Sequence, residues 1–574
     1  MEWEREIEFI VRKYALQNSL EYNGKGKSGS VLGRILSERT DLREKARSLK
    51  KLVEEEVEEA NKIAKNQGLE VVKEILEELA PDALVRKKQV KNTGLKELPG
   101  DTSAVILRFA PNPNGPLSLG HSRGVIINSE YAKLYGGKVV LRFDDTDTKI
   151  KPPILEAYQW IIDEYEWLTG KSPDVIVRAS ERMDIYLDYA EKILKADFAY
   201  VCNCTQNEFK RYRVDMEPCP CRINSVSDNI SAWDEMIAGK IDEGSAIVRI
   251  KTDMKLPNPA LRDWPALRIQ KAQHPIVGSK YHVWPLLDFQ SAVEDYEQGI
   301  THIIRGKDLM DSTRKQTILY EKMGWKYPET LYWGRVKLLG FGKFSTSEMR
   351  SSIENGEYEG WNELFLPTIG ALRRRGFSAE SIKRYWLELG LTQKDISVPM
   401  KTIESVNSKI IDKKCERRIF VENPVELNLN LQSKNGSKDG FPASILLEKH
   451  PEIEMGHRRW IISDRIFLGK DDSNIESLRL KGFADVKIEF EKKEIELESI
   501  EKSDDRSIVH WLPVGMQRDA ILVSPKEGRN SVIHGLIEDF ELIEGEIYQF
   551  ERLGFARVEE NMPESPVKLV WLHN

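Results

Sequence analysis

A multidomain α/β chain, with a parallel-sheet domain between a helical N-terminal region and an antiparallel β-rich tail, is predicted by three observations. Apolar residues recur at steps of three and four in the first hundred residues. A strand, loop, helix and second strand follow one another after Pro99-Gly100-Asp101. Beyond Val398, apolar and polar residues alternate between Gly, Asn and Pro turns. With 574 residues, the chain has room for about three to five domains of a typical ~100–200 residues each.

In the N-terminal region, Leu42, Ala46, Leu49, Val53, Val57, Ala60 and Ile63 define one apolar helix face. The stretch Gly24-Lys25-Gly26-Lys27-Ser28-Gly29 superficially suggests a phosphate loop. No strand precedes it and the Walker spacing is absent, so it reads as a flexible connector between helices. Next, Ala104–Phe109 reads as an apolar strand, Leu119–Tyr135 as a helix and Lys138–Phe143 as a second strand, the unit of a parallel sheet. A nucleotide is expected at the carboxyl edge of such a sheet. Residues 321–397 read as largely helical, including Leu364–Arg375 and Ala379–Leu389. In the tail, Val425, Leu427, Leu429 and Leu431, and again Val486, Ile488 and Phe490, alternate as half-buried antiparallel strands of barrels or sandwiches do.

Composition excludes some classes of function. The chain is 40% hydrophobic and 31% charged, with a mean hydropathy of −0.47 and no apolar run near the roughly 18 residues of a membrane span. Its start, Met1-Glu2-Trp3-Glu4-Arg5-Glu6, resembles neither a secretory signal nor an acid-poor transit peptide; a cytoplasmic protein without membrane partners is expected. The formal charge of −7 does not advertise nucleic-acid binding, which needs local Lys/Arg clusters. Two such runs, Arg373-Arg374-Arg375 and Lys413-Lys414-Cys415-Glu416-Arg417-Arg418, read equally as solvated faces.

The strongest chemical signal is Arg108-Phe-Ala-Pro-Asn-Pro-Asn-Gly-Pro-Leu-Ser-Leu-Gly-His121. A loop stiffened by Pro111 and Pro113 passes Gly115 and Ser118 to Gly120, which permits close backbone approach, and places His121 at a helix start. Free N–H groups and the helix dipole favour phosphate there, although a capping histidine in a rigid turn explains the same residues. Leu141-Arg-Phe-Asp-Asp-Thr-Asp147 follows the next strand; its carboxylates suit Mg²⁺ or helix capping. Cys202-Asn-Cys204 and Cys219-Pro-Cys221 are two Cys-x-Cys pairs, whose four thiolates would complete a tetrahedral Zn²⁺ site. Four buried free thiols are the alternative.

The first of these motifs resembles the Ala-Pro-x-Pro-x-Gly-x-x-His-x-Gly-His loop of the class I glutamyl- and glutaminyl-tRNA synthetases. His121 matches the second histidine, whereas Ser118 replaces the first. Arg142-Phe-Asp-Asp-Thr146 resembles a second family segment, which implies that Asp144 holds the amino acid's ammonium group. The segment from Asp288 to Leu309 is similar to the family's amino-acid pocket lining; Arg108 and Arg305 match its arginines, and Leu287 replaces a usual tyrosine. Glutamyl enzymes tend to carry arginine at the position of Arg305, since a guanidinium favours a carboxylate over an amide. Lys343-Phe-Ser-Thr-Ser347 looks like a variant of the Lys-Met-Ser-Lys-Ser loop, with Lys343 and Ser345 kept and Thr346 in place of the second lysine.

Further matches run to Phe550-Glu-Arg-Leu-Gly-Phe555, and the later ones resemble the archaeal and eukaryal branch with its β-barrel anticodon region. The resemblance implies a helical domain at 1–100, a class I Rossmann-type catalytic domain at 101–198 and 281–320, and an inserted acceptor-stem domain at 199–280. A helical connecting domain at 321–397 and β-barrels at 398–574 complete it. It also implies catalytic His121 and Lys343, with ATP held by Pro111, Pro113, Gly115, Ser118, Gly120, His121, Lys343 and Ser345. Mg²⁺ would accompany ATP, and structural Zn²⁺ occurs in some members, so Cys202, Cys204, Cys219 and Cys221 are the expected ligands. The substrates implied are L-glutamate, bound by Arg108, Asp144 and Arg305, and tRNA(Glu); whether tRNA(Gln) is also charged stays open. Two alternatives stand beside this reading: a glutaminyl enzyme, which Arg305 disfavours, and a zinc-containing tRNA-binding protein that has lost activation chemistry.

Overall fold

The computed structural model describes residues 5–80, 94–339, 345–430, 442–489, 491–503, 505–526 and 528–574. It separates into two compact units, Met1–Asn92 and Thr93–Asn574. Lys343, Leu431 and Phe490 lie outside the described residues.

In the first unit, helices Arg5–Glu21, Ser28–Glu38, Ala46–Gln67 and Leu69–Leu79 pack on one another. Leu49, Val53, Val57, Ala60 and Ile63 line the buried face of the third helix. Leu42 is buried in the preceding 3-10 turn, Thr40–Lys45. The glycine-rich stretch connects the first two helices and is tied down: Gly26 N–H donates to Asn61 Oδ1 and Lys27 N–H to Asn18 Oδ1, both at 2.7 Å. The third helix stops at Gly68, whose φ of 95° is open to glycine and strained for other residues.

The second unit is organised around a parallel sheet. Strand Lys138–Phe143 pairs in parallel with Ile106–Phe109 on one side and Val175–Arg178 on the other. The first strand is shorter than its sequence suggests, whereas helix Leu119–Tyr135 spans its expected residues. Strand His302–Gly306 lies on the far side of Ile106–Phe109, where Thr301 N–H donates to the Ile106 carbonyl at 3.0 Å, and pairs in parallel with Glu329–Trp333. Between these halves, Ala199–Cys202, Ile247–Ile250, Pro265–Ile269 and Val283–Pro285 form a four-stranded antiparallel sheet that shares a core with helices Met183–Lys195, Leu287–Glu297 and Met310–Met323.

The region expected to be largely helical also contains strands Val336–Leu339 and Ile396–Pro399, paired in parallel. The helix expected from Leu364 begins only at Ile369. Pro367 disfavours helical backbone just before it, and Thr368 caps the helix by accepting the Ala371 N–H at 3.1 Å.

Among the described residues, the tail forms two seven-stranded sheets and a hairpin of Ser444–Glu448 with His457–Ile461. Pairing is mostly antiparallel, as alternation predicts, but parallel pairs enter each sheet. Gln517–Lys526 runs parallel to Val567–His573, and Pro424–Asn430 to Glu494–Ser499. Alternation reports a half-buried face and is blind to the direction of the neighbouring strand.

The two basic runs are largely drawn inward. Arg374 pairs with Glu559 at 2.6 Å, and the buried Arg375 donates to the Leu572 carbonyl at 2.5 Å. Arg417 pairs with Asp412 at 2.9 Å, and Arg418 is buried against Glu416 at 2.7 Å. These arginines hold the fold together; they do not form a free cationic face.

Candidate active site

The loop from Pro111 to His121 leaves the carboxyl end of the strand Ile106–Phe109 and is fixed along its length. The Pro111 carbonyl accepts the Asp144 N–H at 3.0 Å, and the Pro113 carbonyl accepts the Ile154 N–H at 2.8 Å. Gly115 is buried: a Cβ there would stand 2.7 Å from Thr346 Cγ2 and 2.9 Å from Trp361 Cη2. Its smallness therefore admits the helix Thr346–Glu354 to the loop. Further along, Leu117 and Leu119 exchange backbone bonds with Ile369 and Pro367 at 2.8 Å, a short antiparallel bridge centred on Ser118 and Thr368.

Ser118 and His121 form a reciprocal cap. Ser118 Oγ accepts the His121 N–H at 3.3 Å, and His121 Nδ1 accepts the Ser118 N–H at 3.2 Å. With Nδ1 an acceptor, the neutral ring carries its proton on Nε2. The exposed imidazole thus offers an N–H donor beside the helix N-terminus. A Cβ at Gly120 would meet Ser118 Oγ at 3.6 Å, an ordinary contact. Ser345, by contrast, is engaged as a helix cap, accepting the Glu348 N–H at 3.1 Å while its own N–H donates to Glu348 Oε2 at 2.8 Å.

Beneath the loop, three arginines from three strands converge on one carboxylate. Asp295 Oδ1 lies 2.7 Å from Arg142 Nη1 and 3.3 Å from Arg108 Nε, and Asp295 Oδ2 lies 3.9 Å from Arg305 Nη2. Arg142 also donates to Asp144 Oδ1 at 2.8 Å and to Ser291 Oγ at 2.8 Å. Gln290 Nε2 donates to the same Asp144 oxygen at 2.6 Å. All three arginines, Asp144 and Asp295 are buried. Burial alone would raise the Asp295 pKa, but Arg108, Arg142 and Arg305 reverse that effect and hold it below the ordinary carboxylate range. Burial lowers the pKa of Arg108, whereas Asp144 and Asp295 carry that of Arg142 well upward against its own desolvation. The neighbouring carboxylate Glu294 is already matched by Arg182 at 2.8 Å, and Asp288 by Lys315 at 2.6 Å. Three guanidinium groups therefore face two carboxylates, and the cluster carries one unmatched positive charge.

Arg108, Asp144 and Arg305 are thus brought together, with His121 at the loop above them. Sequence reasoning did not single out Arg142, Asp295 or Gln290. A visible signal existed for the first: an arginine between Leu141 and Phe143 in an apolar strand has to be paired to be buried. Leu287 is 47% exposed at the start of helix Leu287–Glu297.

The four cysteines form a separate centre. Their sulfurs all lie within 4.8 Å of one another, with Cys202 and Cys219 at 3.9 Å and Cys204 and Cys221 at 3.7 Å. A tetrahedral Zn²⁺ with bonds of about 2.3 Å sets its sulfurs roughly 3.8 Å apart, so the cluster fits that ion. In the outer layer, the Asn203 N–H donates to Cys221 Sγ at 3.5 Å, and the Tyr200 hydroxyl, which donates to Asp263 Oδ2 at 3.0 Å, lies 3.3 Å from Cys219 Sγ. No other group of His, Cys, Asp and Glu among the described residues is spaced to hold a metal. Mg²⁺ usually keeps several waters and binds substrate phosphates without a dedicated protein cage. None of the helices is long and apolar enough to cross a membrane, among the described residues.

Comparison with known proteins agrees along the chain. Residues 104–413 match the catalytic domain of the family described as "tRNA synthetases class I (E and Q)", and residues 415–502 match its anti-codon binding domain. Among curated relatives, the glutamate–tRNA ligase of Methanothrix thermoacetophila is 42% identical, with 96% of this chain and 97% of that protein covered. That of Archaeoglobus fulgidus is 43% identical with the same coverage. That of Pyrococcus furiosus is 39% identical, covering 97% of this chain and 98% of the relative. With matches of this extent, the chain belongs to the class I (E and Q) tRNA synthetases.

Proposed function

We propose that this chain is a glutamate–tRNA ligase of the cytoplasm, which activates L-glutamate with ATP and transfers it to the 3′-terminal adenosine of tRNA(Glu). The observation that carries the choice of amino acid is the unmatched positive charge of the buried arginine cluster. Glutamate bears one net negative charge and balances it; glutamine bears none. A hydrogen bond to a charged group is worth about 1.5–3 kcal/mol, and at about 1.4 kcal/mol per tenfold that gives roughly ten- to a hundredfold preference for glutamate.

In this reading Arg305 receives the side-chain carboxylate, Arg108 contributes to holding the amino acid and Asp144 receives its ammonium group. The α-carboxylate is already a nucleophile, so its attack on the α-phosphorus of ATP needs no general base. Pyrophosphate leaves and glutamyl-adenylate forms. The protein contributes alignment and charge stabilisation: the His121 Nε2–H and the helix N-terminus face the phosphates, supported by the loop of Pro111, Pro113, Gly115, Ser118 and Gly120, and the family resemblance assigns further phosphate contacts to Lys343 and Ser345. Bound Mg²⁺ supplies further neutralisation of phosphate charge. The 2′-hydroxyl of the terminal ribose then attacks the adenylate carbonyl and AMP departs. The insertion with the four cysteines, taken as a zinc-stiffened acceptor-stem module, and the β-rich tail, taken as the anticodon reader, present the tRNA.

The test is transfer of labelled glutamate or glutamine, with ATP and Mg²⁺, onto purified tRNA(Glu) and tRNA(Gln). Glutamate on tRNA(Glu) is the expected result; glutamate on both marks a non-discriminating enzyme. Glutamine transfer overturns the pocket assignment, and tRNA binding with no transfer overturns catalysis.

A further inference from the structure

Arg305 is held by a neutral partner. Gln316, fully buried on the helix Met310–Met323, accepts two donors on Oε1: Arg305 Nη1 at 3.0 Å and the Tyr327 hydroxyl at 2.7 Å. Its Nε2 donates to the Asp288 carbonyl at 3.3 Å. These three bonds fix the amide's orientation, since both groups facing Oε1 are donors and the group facing Nε2 is an acceptor. Thr313 Oγ1, at 3.4 Å, is the other acceptor at Arg305 Nη1. The opposite edge of the guanidinium is unused: Arg305 Nε is buried without a hydrogen-bond partner, and Nη2 meets Asp295 Oδ2 only at 3.9 Å. That Asp295 oxygen is itself buried without a hydrogen bond.

We propose that Gln316 is a specificity-determining positioning residue: by pinning Arg305 through Nη1 with an uncharged acceptor, it leaves the Nε–Nη2 edge and the positive charge to the substrate's side-chain carboxylate. The Nε–Nη2 edge is the one that pairs with a carboxylate through two parallel bonds, as Arg374 does with Glu559 through Nε at 2.6 Å and Nη2 at 3.2 Å. A carboxylate at residue 316 would occupy the same anchor point and bring the cluster to three positive and three negative groups. A neutral substrate side chain would then be the better match. This inference rests on the reading that Arg305 faces the glutamate side chain.

The experiment compares the full-length protein with Gln316→Glu and Gln316→Met in charging of tRNA(Glu), with glutamate, glutamine and ATP varied in turn. Gln316→Glu is expected to raise the KM for glutamate about tenfold or more with the KM for ATP unchanged. It also lowers the glutamate-to-glutamine ratio of kcat/KM by the same order. Gln316→Met unpins Arg305 without neutralising it and raises the glutamate KM less. A wild-type glutamate KM in Gln316→Glu, or an equal rise for glutamate and ATP, overturns the proposal; where that variant does not fold, a wild-type glutamate KM in Gln316→Met does so. An unsubstituted protein that charges no glutamate refutes the underlying reading before any variant is compared.

Discussion

Asp295→Asn probes the electrostatics of the pocket most directly, because it removes one negative charge with almost no change of volume. In the native cluster this carboxylate stands 2.7 Å from Arg142, 3.3 Å from Arg108 and 3.9 Å from Arg305, fully shielded from solvent. After the substitution three buried guanidinium groups share only Asp144. Removing one partner of a buried ion pair destabilises by about 3–5 kcal/mol. With two compact units and several cores, a single global unfolding transition is a poor readout. Amide hydrogen exchange of Val139–Phe143 reads the sheet that carries Arg142 directly. At about 1.4 kcal/mol per tenfold, these amides should exchange roughly a hundred- to four-thousandfold faster than in the parent protein. A change of less than about tenfold would refute the view that Asp295 neutralises the cluster.

Glu164 is buried, accepts the Leu117 N–H at 2.6 Å, and has its pKa raised from 4.5 to about 8 by desolvation. The folded state therefore keeps a proton that the unfolded state has lost. Stability falls as pH rises from 4.5 to about 8 and levels off above that. Glu164→Gln should flatten this slope, read as amide-exchange protection of helix Leu155–Thr169, and a difference in protection between the two proteins that stays constant across that window would refute it. For the four cysteines, elemental analysis should find zinc bound in the parent protein and lost from Cys204→Ser, with faster proteolysis of the surrounding sheet; a metal-free parent purified from zinc-supplemented cells rules out the site. His121→Ala should slow adenylate formation by roughly a hundred- to a thousandfold, the range for loss of a charge-stabilising donor, with tRNA affinity unchanged. Full activity of that variant would exclude a role at the phosphates.

Local pattern made the centre of the fold legible. Helix Leu119–Tyr135 and strand Lys138–Phe143 span the residues expected of them, set apart by the turn at Gly136-Gly137. Short parallel strands such as Val336–Leu339 escaped because four apolar residues say little about period and their partner, Ile396–Pro399, is some sixty residues away. The site divides in the same way. Arg108, Asp144 and Arg305 stand in segments whose order of residues identifies them, whereas Asp295 meets Arg108 and Arg142 across more than 150 residues and Gln316 meets Arg305 and Tyr327 between two separate elements, and no spacing rule announces either contact. Ser118, which departs from the family's usual histidine, is engaged by the backbone of His121 as a helix cap. Gly115 proves to be a packing residue beneath Thr346 and Trp361.

The bridge between Leu117–Leu119 and Pro367–Ile369 has a consequence for synthesis. On the ribosome, the Pro111–His121 loop emerges about 250 residues before the segment Pro367–Ile369 that braces it, and at about 5–20 residues per second this delay lasts roughly 12–50 s. Arg123, at the second turn of the same helix, waits still longer for the Gly390 carbonyl to which it donates at 2.9 Å. A nascent chain interrupted anywhere before Ile369 thus carries the Pro111–His121 loop without its brace. The loop acquires its final support late, when the connecting helices have closed back over a segment made long before them.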